Sequence, residues 1–167
     1  MKFLLSTILT LFLLNEVTAQ DKEVVEIRKL YNEIQQNKSS YIRLAQEDFE
    51  SSSEGGQLTA YKDENGIRLI ETVHYGHMGK IEHEYYFSNG QLYFAFAKTY
   101  KYNAPPTQLE YDNSQTTIEE YRYYFWNSKM IRCIKPDGSF LEMGSDEFVQ
   151  QEQRISELAS MALKQFE

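Results

Sequence analysis

The chain has 167 residues, enough for one ordinary domain and little more. Its net charge of −8 leaves no surplus of Lys and Arg to displace counterions from a phosphate backbone, which argues against a nucleic-acid partner. An apolar share of 41% with 14% aromatics supplies a core, so the composition is that of a folded chain and not of a disordered one.

Met1–Ala19 reads as a secretory signal: Lys2 as the charged start, an apolar run from Phe3 to Leu14, then a short polar stretch ending in Val17-Thr18-Ala19. The run is too short to span about 30 Å of hydrocarbon, which takes about 20 apolar residues. No cysteine follows it to accept a lipid. The expected product is therefore released to the periplasm or the medium, with no membrane span after cleavage, as a single domain over residues 20–167. The one cysteine, Cys133, rules out an intramolecular disulfide and reads as a small buried hydrophobe.

From Asp21, placed to cap, the apolar residues Val24, Ile27, Leu30, Tyr31 and Ile34 recur at helical spacing. A second amphipathic helix closes the chain. Ser145 caps it, Asp146 and Glu147 suit its N-terminal end, and Phe148, Ile155, Leu158, Ala159, Ala162 and Phe166 form one stripe. Between the helices the period falls to two and turns recur about every ten residues, the pattern of an antiparallel meander. Strands are expected near Tyr41–Glu50, Gln57–Lys62, Ile67–His74, Lys80–Phe87, Gln91–Tyr102, Thr116–Asn127 and Lys129–Lys135. The fold class is α+β, a six- to seven-stranded meander with both terminal helices packed on one face. Asn103–Ser114, with Pro105-Pro106, reads as a long loop.

Asn89-Gly90 suits a two-residue type I′ turn, because both central positions need positive φ. That turn pairs Ser88 with Gln91 and Phe87 with Leu92, and simple alternation continues the register to Tyr85 with Phe94 and His83 with Phe96. This set, with Ile81, forms an apolar face expected to meet the helices. Glu82, Glu84, Tyr86, Tyr93 and Ala95 take the other.

The segment Glu82–Leu92 is echoed 38 positions later by Glu120–Met130. Two hairpins built on the same aromatic and turn chemistry account for the echo, as would an internal duplication. Glu54-Gly55-Gly56 with Tyr61, then Glu84-Tyr85-Tyr86-Phe87 with Asn89-Gly90, then Glu120-Tyr121-Arg122-Tyr123-Tyr124-Phe125, resembles small secreted bacterial proteins of unassigned function. The resemblance covers about Asp21 to Gly138 and implies bacterial export and a helix-flanked sheet. Its motifs are structural, and it carries over no catalytic residue.

All three histidines, His74, His77 and His83, fall within ten positions, with Glu82 and Glu84 beside them. Imidazole and carboxylate together suit zinc with an open position, which makes a metal-assisted hydrolase at this hairpin the alternative reading. A tight turn near His77 opposes it by setting Lys80, not His83, across from His74. Paired carboxylates at Glu82/Glu84 and Glu119/Glu120 show no asymmetry that would split them into acid and base. With no phosphate loop, nucleophile elbow or His-Glu-x-x-His helix, enzymatic activity is disfavoured and no cofactor is expected.

The aromatic excess, 13 Tyr, 10 Phe and one Trp, points to contact. Amphipathic rings on a half-exposed sheet bury much area with few rotors, which suits sugar rings, extended peptides or a partner protein. The expectation is a secreted binding or interaction module that uses Tyr86, Tyr93, Tyr124 and Trp126, with Arg122 as polar anchor, toward a glycan, peptide or protein partner.

Overall fold

The computed structural model describes residues 2–48 and 54–166, with side chains from residue 20 onward; the signal reading of Met1–Ala19 and the expected strand end at Glu50 lie outside these. Helix α1 (Lys2–Asn37) leads into strands β1 (Ile42–Asp48), β2 (Gly56–Asp63), β3 (Gly66–Gly76), β4 (Gly79–Ser88), β5 (Gln91–Lys101), β6 (Thr117–Trp126) and β7 (Lys129–Ile134), and helix α2 (Asp146–Lys164) comes last. The strands form one seven-stranded antiparallel sheet in chain order, so the chain is α+β. Among the described residues no helix is long and apolar enough to cross a membrane. Helix α1 passes through Asp21 instead of starting there, and the Asp21 carboxylate accepts a hydrogen bond from Arg132 Nη2 at 2.8 Å.

The two helices lie on opposite faces of the sheet, which corrects the expectation of a shared face. Phe148, Ile155, Ala159 and Ala162 of α2 join Leu58, Ile70, Tyr85, Phe87, Tyr123 and Phe125 in one core. Val24, Ile27 and Ile34 of α1 join Leu69, Tyr86, Tyr93, Phe94 and Tyr124 in another. The cause lies in the strands. Runs such as Tyr85-Tyr86-Phe87 and Tyr123-Tyr124-Phe125 are apolar at successive positions, so these central strands present hydrophobic surface on both sides and both sides need cover.

Helix α2 begins where its capping chemistry places it. The Ser145 hydroxyl oxygen accepts from the Phe148 amide at 3.2 Å, and Asp146 and Glu147 stand in the positive first turn.

Three hairpins share one device. The Asn89-Gly90 turn, with φ of 50° and 74°, sets Ser88 opposite Gln91 and Phe87 opposite Leu92 as expected. The register then shifts, so Tyr86, not Tyr85, meets Phe94, and His83 meets Ala97, not Phe96. Tyr93 is the extra residue of a β-bulge, and it and Phe94 consequently point to the same side. The β6–β7 hairpin repeats the shift at Tyr124/Phe125, with Asn127 and Ser128 also at positive φ, and β2–β3 repeats it at Tyr61/Lys62. The echo at 38 positions is therefore an echo of bulge and turn as well as of wording.

The two rims of the sheet differ. Beyond β7 the chain doubles back: Leu141 N–H donates to the Cys133 carbonyl and Lys135 N–H to the Ser139 carbonyl, each at 2.9 Å. Among the described residues strand β1 pairs with β2 alone and forms the other rim.

Candidate functional site

The rings expected to meet a partner are covered by α1. Tyr86 is 0% exposed, Tyr124 4% and Tyr93 7%, and Trp126 packs half-buried against the same cluster. The Tyr86 hydroxyl accepts from Gln35 Nε2 of α1 at 2.6 Å and donates to the Glu84 carboxylate. These side chains attach the helix; they are not a free surface.

Arg122 stays half-exposed on the same face. Its guanidinium lies 5.0 Å from the Phe96 ring centroid and 2.8 Å from Glu120, and Lys98 caps the same ring at 4.9 Å. Nearby, Glu82 takes hydrogen bonds from Lys80 at 2.6 Å and from the Tyr100 hydroxyl at 2.8 Å. Burial alone would raise the Glu82 pKa, yet these bonds outweigh it and hold the carboxyl below its ordinary range. Glu84 is tied to Tyr86, and Glu119 and Glu120 to Lys101 and Arg122. The carboxylates that suggested acid–base pairs are each held by their own partner.

An opening lies on the α2 side. A cleft of about 900 Å³ runs between α2 and strands β1 to β4. The cross-strand rows of the sheet build its floor. Gln46 pairs with Leu58, Leu58 with Thr72 and Thr72 with His83; beside that row Asp48 pairs with Gly56, Gly56 with His74 and His74 with Ile81. Arg154, Leu158, Met161, Ala162 and Gln165 of α2 form its wall. A smaller hollow of about 230 Å³ sits by the turns, lined by Leu92, Ser156 and Ser160 among others.

Gly56 makes one of these contacts geometrically available. His74 Nε2 reaches across β2 to lie 3.2 Å from Asp48 Oδ2. A Cβ on Gly56 would stand 3.2 Å from the His74 ring and 2.5 Å from the Val73 carbonyl oxygen, so the crossing needs a residue without one. In the neutral ring this contact puts the proton on Nε2 and leaves Nδ1 as an acceptor.

His83 sits deeper, 6% exposed, with its ring stacked on Tyr85 at 5.4 Å between centroids. Its Nδ1 and the Oγ1 of its cross-strand neighbour Thr72 are buried and have no hydrogen-bond partner within the described structure. Burial, with the positive fields of His74 and Arg154 added, lowers the His83 pKa from 6.5 to about 4. The unfolded chain therefore takes up this proton near pH 6.5 and the folded chain only near 4. Between those values the unfolded state holds more protons, so the stability is complete above the upper value and drains away as the pH falls. Urea unfolding at pH 7 and 4.5 is expected to show the unmodified chain losing about 2–3 kcal/mol more than His83→Phe. Equal losses in the two proteins would place the imidazole in water.

The three histidines do not converge. His74 and His83 share the cleft, but His77 occupies the β3–β4 turn, exposed, with Nδ1 3.5 Å from Glu54. The turn places Lys80 opposite Tyr75, so Ile81 stands across from His74 where Lys80 was expected. Among the described residues no three His, Cys, Asp or Glu side chains are grouped to hold a metal ion. Cys133 is buried, and burial first and Glu147 second push its thiol up to about 12, far from a reactive thiolate.

Sequence reasoning placed His74 and His83 on a hairpin but missed Asp48, Thr72 and Arg154. Register could have joined Asp48 to His74, given Gly56 as the gap between them; nothing local marks Arg154. Comparison with protein-family models, with curated proteins and with solved structures found no match to this chain.

Proposed function

We propose that the chain is an exported binding module whose ligand site is the cleft beneath α2, and that it acts by binding and not by catalysis. The observation that carries this reading is the cleft of about 900 Å³ between α2 and the sheet, lined by Thr72, His83, Arg154, Leu158 and Ala162 among others. The volume lies within the roughly 300–1,000 Å³ range of small-molecule sites, and the mix of apolar wall and a few fixed polar groups suits one. Export is supported by the tripartite pattern of Met1–Ala19.

A fragment screen followed by amide NMR on the full chain tests the assignment. Binders are expected to shift Thr72, His83, Leu158 and Ala162 and to leave Phe96 and Arg122 unmoved. At a hundredfold excess over Kd a binder adds about 2.7 kcal/mol, a rise of roughly 5–10 °C in Tm for a chain of this size. Shifts confined to the α1 side, or a screen without binders, would overturn the reading.

A further inference from the structure

We infer that a second copy of the chain docks on the open edge of β1, the two β1 strands running antiparallel about a twofold axis at Ala45, with Arg43 of each copy against Glu47 of the other. Among the described residues β1 pairs on one side only, so backbone N–H and C=O groups along its other side have no partner strand. Proteins commonly guard such an edge with proline, a bulge or a covering segment. β1 has no proline, and its seven pairs with β2 run from Ile42 to Asp48 without the register shift found in the β2–β3, β4–β5 and β6–β7 hairpins. The edge is fit to accept a strand.

Self-pairing fixes its own register. An axis normal to the sheet keeps the α1 side of both copies together, so a residue can oppose only one that points to the same side. Arg43, Ala45 and Glu47 share the α1 side, because Arg43 stands in the cross-strand row of Tyr61, Leu69 and Tyr86, which pack in the α1 cluster. With the axis at Ala45, the midpoint of β1, all seven residues are paired, and Arg43 and Glu47 each meet the opposite charge. Leu44 then opposes Gln46 and Ile42 opposes Asp48, so no like charges meet. Moving the axis to Leu44 or Gln46 pairs only Ile42–Gln46 or Leu44–Asp48 and sets Ala45 against a charge. Both charges are also available. Arg43 and Glu47 are exposed and make no ion pair among the described residues, where Arg43 Nη2 approaches the Thr59 hydroxyl at 3.5 Å.

Sedimentation velocity of the full chain over a concentration series tests this. A monomer–dimer equilibrium is expected, weakened about tenfold in Arg43→Glu, which sets like charges against each other at both symmetric places. The double variant Arg43→Glu/Glu47→Arg restores opposite pairs and is expected to return the affinity to within about threefold of the original. Ala45→Cys gives an independent reading. Residues facing each other across the axis hold their Cα atoms about 4.5–5.5 Å apart, within disulfide reach, so mild oxidation is expected to yield covalent dimers while Cys133 stays buried. Glu47→Cys, whose two copies would stand about 14 Å apart along the paired strands, is expected to yield none. A chain that stays monomeric to about 1 mM would overturn the proposal. A dimer unmoved by Arg43→Glu, a double variant that fails to recover, or equal cross-linking in the two cysteine variants would overturn it as well.

Discussion

Tyr86→Ala is expected to lower the unfolding free energy by about 3–5 kcal/mol, the range for deleting a large buried ring. The ring has no exposed surface and touches Tyr31, Tyr93 and Phe94, with centroid separations of 5.0, 6.3 and 5.6 Å. It is also where α1 is tied to the sheet through its hydroxyl, between Gln35 and Glu84. Burial, joined by the negative charge of Glu84, raises the phenol pKa, so the group stays a neutral donor across any working pH. Tyr86→Phe separates the two contributions. It keeps the packing and removes the bonds, and should cost about 1–3 kcal/mol because one of the stranded partners is a carboxylate. Denaturant titrations of both variants check the ordering. A ring on an open face would give Tyr86→Ala a change within about 0.5 kcal/mol of zero, and that result would contradict the burial of this face under α1.

A pair of substitutions in one hairpin should give opposite results. Gly76 and Gly79 face each other across the β3–β4 turn, yet their surroundings differ. A Cβ on Gly79 would lie 2.0 Å from the Tyr100 carbonyl oxygen and 3.1 Å from its carbon, both backbone atoms of the neighbouring strand. No rotamer change relieves such a clash, so Gly79→Ala must part β4 from β5 or distort the turn, at a cost of about 3 kcal/mol or more. A Cβ on Gly76 would meet only the Gly79 carbonyl oxygen at 3.5 Å, an ordinary contact. Gly76→Ala should therefore be neutral or gain up to about 1 kcal/mol by restricting the unfolded chain. Urea unfolding of the two variants side by side measures the contrast, and equal effects would show that the close approach of β5 at Gly79 is not present in solution.

The strands are legible in the sequence because turn residues and β-rich runs mark them locally. Lys129–Lys135 is expected and Lys129–Ile134 is found; the expected Gln57–Lys62 is Gly56–Asp63 in the sheet. The Asn89-Gly90 turn sets the first two pairs of its hairpin correctly. The third fails because strict alternation has no place for Tyr93, and a bulge leaves no composition signal that separates it from regular strand. That one residue moves Phe94 and Phe96 to the α1 side.

The placement of the helices fails for a related reason. An amphipathic stripe says that a helix needs a partner and does not say which side of the sheet supplies it. The signal that both sides are apolar is present in Tyr85-Tyr86-Phe87 and Tyr123-Tyr124-Phe125, continuous runs typical of strands covered twice. Reading them as alternating produces a free aromatic face that the structure does not contain. Of the cleft, His83 is expected among apolar side chains and is found there, whereas its neighbour Thr72, 11 positions away, is joined to it by register alone.

The unequal rims of the sheet bear on assembly. Backbone groups of the return segment already occupy part of the β7 rim, so β1 is the side on which another strand could add. A copy docking there through its own β1 would lie antiparallel about a twofold axis, and the new particle would then offer no second β1 for a third molecule. Backbone-to-backbone association of β1 with β1 therefore closes at a pair.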